Sequence, residues 1–75
     1  MMELSEILKL IRRELQITQE ELVHAVHVSF STVNRWENKK AVPNRMDRAL
    51  LLDFCEKQAV KSDLIEALKS YKQVQ

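Results

Sequence analysis

Seventy-five residues suffice for one domain with one core, close to the size below which chains need metal or disulfide staples to stay folded. Hydrophobic residues make up 45% of the chain and charged residues 31%, which excludes a disordered tail, and no apolar run approaches the ~20 residues of a membrane crossing. The net charge of +1 does not by itself point to an anionic partner, and a lone Cys55 beside His24 and His27 forms neither an internal disulfide nor a zinc pattern.

The start, Met-Met-Glu-Leu-Ser-Glu, has no basic segment followed by an apolar one, so the expected address is the cytoplasm. Charge is unevenly spread. Residues 1–28 hold three basic and five acidic groups, residues 29–48 five and two, and residues 49–75 four and four. The chain has no glycine and one proline, which argues against hairpins and for short helices joined by economical turns. The expected fold is all-α: a compact bundle of about five short helices in a single domain over residues 1–75.

Leu4, Ile7, Leu8, Ile11 and Leu15 recur at three and four residues, one stripe of a helix, which predicts the first helix over 4–14. Thr18 opens the second, since its hydroxyl can accept from a free backbone N–H while Glu21 reaches back to the cap. Leu22, Val23 and Val26 form its inner face. Ser29 is the next cap, and Val33 and Trp36 behind it predict a third helix over 30–38. Pro43 keeps Val42 out of a helix, and Asn44 caps the fourth. Its inward face is expected at Met46, Ala49, Leu50 and Phe54, with Leu51 a further candidate. Cys55, among Leu51, Leu52 and Phe54, reads as a small core residue. A loop near Val60 and Lys61 precedes a fifth helix expected over 62–73. Its stripe of Leu64, Ile65, Leu68 and Tyr71 can either close the core or serve a partner.

Only three residues separate the second helix from the third, a turn too short to let them lie side by side, so they must cross steeply. Residues 19–38 therefore read as a helix-turn-helix. His27 falls where the turn needs a left-handed backbone; glycine is easiest there, and histidine is among the tolerated alternatives. On a wheel of about 100° per residue, Val33, Trp36 and Glu37 share the inner half of the third helix. Ser31, Arg35 and Asn38 lie opposite, flanked by Thr32 and Asn34. Short donors near the helix start let a backbone approach closely, and Arg35 one turn later can engage guanine O6 and N7 bidentately in the major groove. Phe30 can meet a thymine methyl or pack back over the end of the second helix; the sequence supports both equally.

The run Ile17-Thr18-Gln19-Glu20-Glu21-Leu22-Val23, then Val28-Ser29-Phe30-Ser31-Thr32-Val33-Asn34-Arg35-Trp36-Glu37-Asn38-Lys39-Lys40, then Pro43, resembles the Cro and lambda-repressor type of helix-turn-helix, the XRE family of bacterial and phage regulators. The resemblance covers roughly residues 7–54. It implies base contacts from Phe30, Ser31 and Arg35, to which the wheel adds Thr32 and Asn34. It implies phosphate contacts from Gln19, where free N–H groups and the helix dipole favour an anion, and from Asn38, with Lys39 and Lys40 extending them. It also implies a structural ion pair between Arg12 and Glu37. Three positions depart from the family pattern: Val23 stands where alanine is usual, and His27 and Lys39 where glycine is. The extra methyls of Val23 suggest a slightly wider crossing of the two helices.

Three functions can be weighed. The leading one is sequence-specific duplex DNA binding by a transcriptional regulator, a repressor by expectation, acting as a homodimer with the fifth helix as candidate pairing surface. The alternative is a protein-interaction or antitoxin-like helix-turn-helix module whose DNA binding is secondary or lost, motivated by the low net charge and the extra apolar helix. An enzyme is disfavoured, because no Gly-rich phosphate loop, metal-ligand pair or nucleophile with a base is present. No cofactor, metal or small-molecule ligand is expected.

Overall fold

A computed structural model describes residues 2–71 and divides them into α1 (Leu4–Leu15), α2 (Gln19–Val26), α3 (Phe30–Glu37), α4 (Arg45–Lys57) and α5 (Ser62–Ser70). The starts of α2, α3 and α4 are set by side chains that satisfy backbone donors left free in a first turn. Thr18 and Glu21 form the reciprocal box expected of them, with Glu21 N–H donating to Thr18 Oγ1 at 3.0 Å and Thr18 N–H to Glu21 Oε1 at 2.8 Å. Ser29 accepts from Thr32 N–H at 3.1 Å and Asn44 from Asp47 N–H at 2.8 Å. α1 runs one residue beyond its expected end, and Asn38 is the C-cap of α3 rather than its last residue. The expected fifth helix over 62–73 ends earlier: Tyr71 is already extended, and positions 72 and 73 lie outside the described residues.

Without glycine, the chain leaves its first four helices through other residues in the left-handed region: Gln16 (φ 56°), His27 (φ 60°), Lys39 (φ 62°) and Ala59 (φ 56°). A Cβ makes that conformation cost about 1 kcal/mol or more. The left-handed residue still lets the chain turn back and satisfy the last carbonyls, as Val60 N–H does on Cys55 O at 3.0 Å and Ile17 N–H on Arg12 O at 3.0 Å. Ala59 is exposed. Ala59→Gly should therefore stabilise the fold by about 0.5–1 kcal/mol, read as a rise of several degrees in thermal midpoint; a fall would show that the strain is not there.

The core gathers Ile7, Leu8 and Ile11 of α1, Leu22 and Val26 of α2, Val33 and Trp36 of α3, Leu51 and Cys55 of α4, and Leu64 and Leu68 of α5, all buried. α1 packs on α3 and α5, α2 on α3 and α4, and α4 on α5. The inner half expected for α3 is met at all three residues.

The inward face of α4 is Leu51 and Cys55, one turn apart, so the expectation of Leu51 and of a core Cys55 is met and that of Met46, Ala49 and Leu50 fails. Met46, at 73% exposure, points outward with Ala49 and Leu50, while Phe54 is half-buried. α4 carries two apolar ridges at helical spacing, and docking on α2 and α5 selects the one that ends in the small thiol. The stripe of α5 is also occupied. Leu64, Leu68 and Tyr71 are buried in the shared core, Ile65 is half-buried, and Arg48 of α4 lies 5.9 Å from the Tyr71 ring centre, so of the two roles open to the stripe it takes that of closing the core. Burial, with smaller contributions from the charges of Glu14 and Glu56, pushes the Cys55 thiol up to about 11; it is a packing group and not a nucleophile.

Candidate nucleic-acid interface

α3 is held to the rest of the fold by polar contacts at its C-terminal end and at Asn34, and along its middle by Val33 and Trp36. At its C-terminal end Glu37 is buried, and Arg12 of α1 grips it with two parallel hydrogen bonds: Nε to Oε2 at 2.8 Å and Nη2 to Oε1 at 2.7 Å. This fork geometry is the strong form of a carboxylate pair. The bond to Glu37 and its charge raise the Arg12 pKa further above its ordinary value, against a smaller opposing effect of burial. A second tie follows two residues on, where Lys39 Nζ lies 2.9 Å from Glu3 Oε1. The Glu3 contact raises the Lys39 pKa.

Gln19, Asn34 and Asn38 form a ladder along the α2–α3 seam. Asn34 Nδ2 donates to Gln19 Oε1 at 3.3 Å. Asn38 Nδ2 donates to Asn34 O at 2.8 Å and to Asn34 Oδ1 at 3.0 Å. Gln19 and Asn34 are half-buried and Asn38 is exposed. With its oxygen taken by Asn34, Gln19 keeps its amide N–H groups available at the start of α2, where a phosphate oxygen would need donors.

The remaining expected contact residues share the outer side of α3. Ser31 and Arg35 are exposed, Thr32 is half-buried with its hydroxyl 2.7 Å from that of Ser29, and Lys40 is exposed beyond the helix end. Phe30 is 52% exposed at the helix start and does not join the core. Among the described residues Arg35 has no ion-pair partner. It stands at the edge of a cleft of about 220 Å³ that Thr32 and Trp36 share with Ala41, Val42, Asn44 and Asp47.

The structure thus brings Gln19, Ser31, Thr32, Asn34, Arg35 and Asn38 together along one helix and its seam. Lys39 is different, since it is already engaged by Glu3. Sequence reasoning missed that contact, as it joins residues 36 apart without a periodic signal. It also missed Asn44 and Asp47 beside Arg35, which only the docking of the start of α4 reveals. Among the described residues no helix is long and apolar enough to cross a membrane.

Among the described residues, five short helices with the second and third crossing over a three-residue turn, and the third presenting a polar outer face, define a lambda-repressor-like helix-turn-helix domain. The family HTH_3, described as helix-turn-helix, matches residues 8–47, and the chain belongs to this XRE-type family of DNA-binding, non-enzymatic domains. No curated protein and no solved structure matches the chain.

Proposed function

We propose that the protein is a sequence-specific transcriptional regulator that lays α3 in the major groove of duplex DNA and represses by occupying its site, as a homodimer in the cytoplasm. The observation that supports this reading best is Arg35: a guanidinium without an ion-pair partner among the described residues, exposed on a helix whose axis is pinned by Arg12–Glu37 and by Trp36. An Arg so placed can present two donors to guanine with little further loss of side-chain freedom. Ser31, Thr32 and Phe30 flank it as further base-edge contacts. Gln19, Asn38 and Lys40 address the phosphates on either side, and Asn34 serves chiefly to brace Gln19. Lys39 adds to the phosphate contacts when it leaves Glu3.

The alternative of an interaction module drew on the low net charge and on the extra apolar helix. With the stripe of α5 buried in the core, the second of these motives weakens and the first stands. A salt titration of duplex binding separates the two readings. Phosphate contacts by Lys39 and Lys40 give a log–log slope of about −2 per protomer, at roughly 0.9 per contact. Negligible affinity for duplex even at low salt would remove the DNA reading and leave the interaction module in its place.

A further inference from the structure

Two lysines follow α3 in the chain, and the fold treats them differently. Among the described residues Lys40 meets no carboxylate, whereas Lys39 Nζ lies 2.9 Å from Oε1 of Glu3. The backbone fixes the start of the Lys39 side chain. Its left-handed conformation (φ 62°) lets the next N–H, that of Lys40, close on Arg35 O at 2.8 Å, so the chain leaves α3 by one set course. On the other side, Glu3 is the N-cap of α1, yet its carboxylate makes no capping hydrogen bond. A carboxylate at a helix start is ordinarily drawn to the free N–H groups of the first turn. Here it reaches across to the end of α3 instead, and Glu6, one turn along α1, adds a weaker attraction for the same ammonium.

The two ends of this contact are unlike. Glu3 Oε1 is shut off from solvent and takes no hydrogen bond from another described group, so the Lys39 ammonium is the charge that compensates it. The Lys39 side chain is 58% exposed, and an anion arriving from solvent can take the ammonium without entering the core. We propose that Glu3 is a built-in competitor of the DNA phosphate, an autoinhibitory contact that holds Lys39 off the backbone until a duplex phosphate displaces the carboxylate. The inference rests on the DNA reading of α3 and gives that site a regulation.

Carboxylate and phosphate oxygens offer an ammonium the same kind of charge-assisted partner, so at Lys39 one replaces the other. Forming the phosphate contact breaks the contact with Glu3 and leaves a shielded carboxylate oxygen uncompensated. That penalty is the same for any base sequence, because phosphates carry no sequence information. Glu3 therefore lowers affinity for every duplex alike. It holds down binding that relies on phosphates, so that at a given concentration the protein stays on a duplex only where the base-edge contacts of α3 are also made.

Fluorescence anisotropy of the full chain on two duplexes of equal length, one carrying a selected site and one unrelated, tests this with four proteins: wild type, Glu3→Gln, Lys39→Ala and the double variant. Glu3→Gln is expected to tighten binding about two- to fivefold on both duplexes, the range that an exposed ion pair commands. In the Lys39→Ala background the same change is expected to have little effect, because no ammonium is left to release. Glu3→Ser, which removes the carboxylate and supplies a better N-cap, is expected to reproduce the gain, and circular dichroism is expected to show equal helix content throughout. A gain of equal size with and without Lys39 would show that Glu3 only repels phosphates at a distance. No gain in either carboxylate-free variant would show that nothing competes. Each of these overturns the proposal while duplex binding stands. Absence of duplex binding by all the proteins at low salt would overturn the DNA reading, and the competition with it.

Discussion

Arg12→Ala is expected to lower the unfolding free energy by about 3 kcal/mol and the thermal midpoint by roughly 15 °C, taking 4–8 °C per kcal/mol for a domain of this size. The reason is what the substitution leaves behind. Glu37 is 3% exposed, and both of its oxygens take their hydrogen bonds from Arg12, so removing the guanidinium strands a buried carboxylate. Because the Arg12 side chain itself retains some exposure, water relieves part of that cost and places the effect at the low end of the range for broken buried pairs. Replacing both partners, Arg12→Met with Glu37→Leu, leaves no stranded charge and is expected to fall within about 1 kcal/mol of wild type. Urea and thermal unfolding of the two variants measure the contrast. A single variant that costs no more than the double one would show that the pair does not hold α3 to α1.

Arg35→Ala is expected to have the opposite profile: stability unchanged, specificity reduced. The side chain is exposed, so its truncation lies within the small range of surface substitutions. If it reads guanine, the loss is about 1–3 kcal/mol of discrimination at one base pair, with flanking positions read as before. Lys40→Ala is the comparison. Removing a phosphate-binding ammonium there weakens all sequences alike and flattens the salt slope by about one unit. Binding profiles of the two variants on a panel of single-base changes would distinguish them, and a uniform loss for Arg35→Ala would reassign it to the backbone.

What the sequence discloses and what it hides have separate physical causes. Caps and periodicity are local, and the structure has Thr18, Ser29 and Asn44 as caps and Val33, Trp36 and Glu37 as the buried side of α3. His27 in the left-handed region is likewise readable, because a three-residue turn between helices demands it. The pairing of Arg12 with Glu37 follows from family resemblance and not from spacing. The inner face of α4 is ambiguous in sequence because the helix offers two ridges at the same period, and only packing against α2 and α5 chooses between them. Glu3–Lys39 and the Gln19–Asn34–Asn38 ladder depend on how helices meet, so they become visible only in the fold. The candidate base and phosphate residues share a surface that the fold defines, while their roles toward DNA rest on the proposal.

Selection of bound sequences from a random duplex pool, with wild type and with Arg35→Ala, tests the central claim most directly. The account predicts that wild type enriches a two-fold related motif with a guanine at one position of each half-site, and that Arg35→Ala enriches the same motif with that position relaxed. A pool that shows no enrichment at low salt, or one whose motif is identical for both proteins, would contradict the reading of DNA by Arg35 on α3.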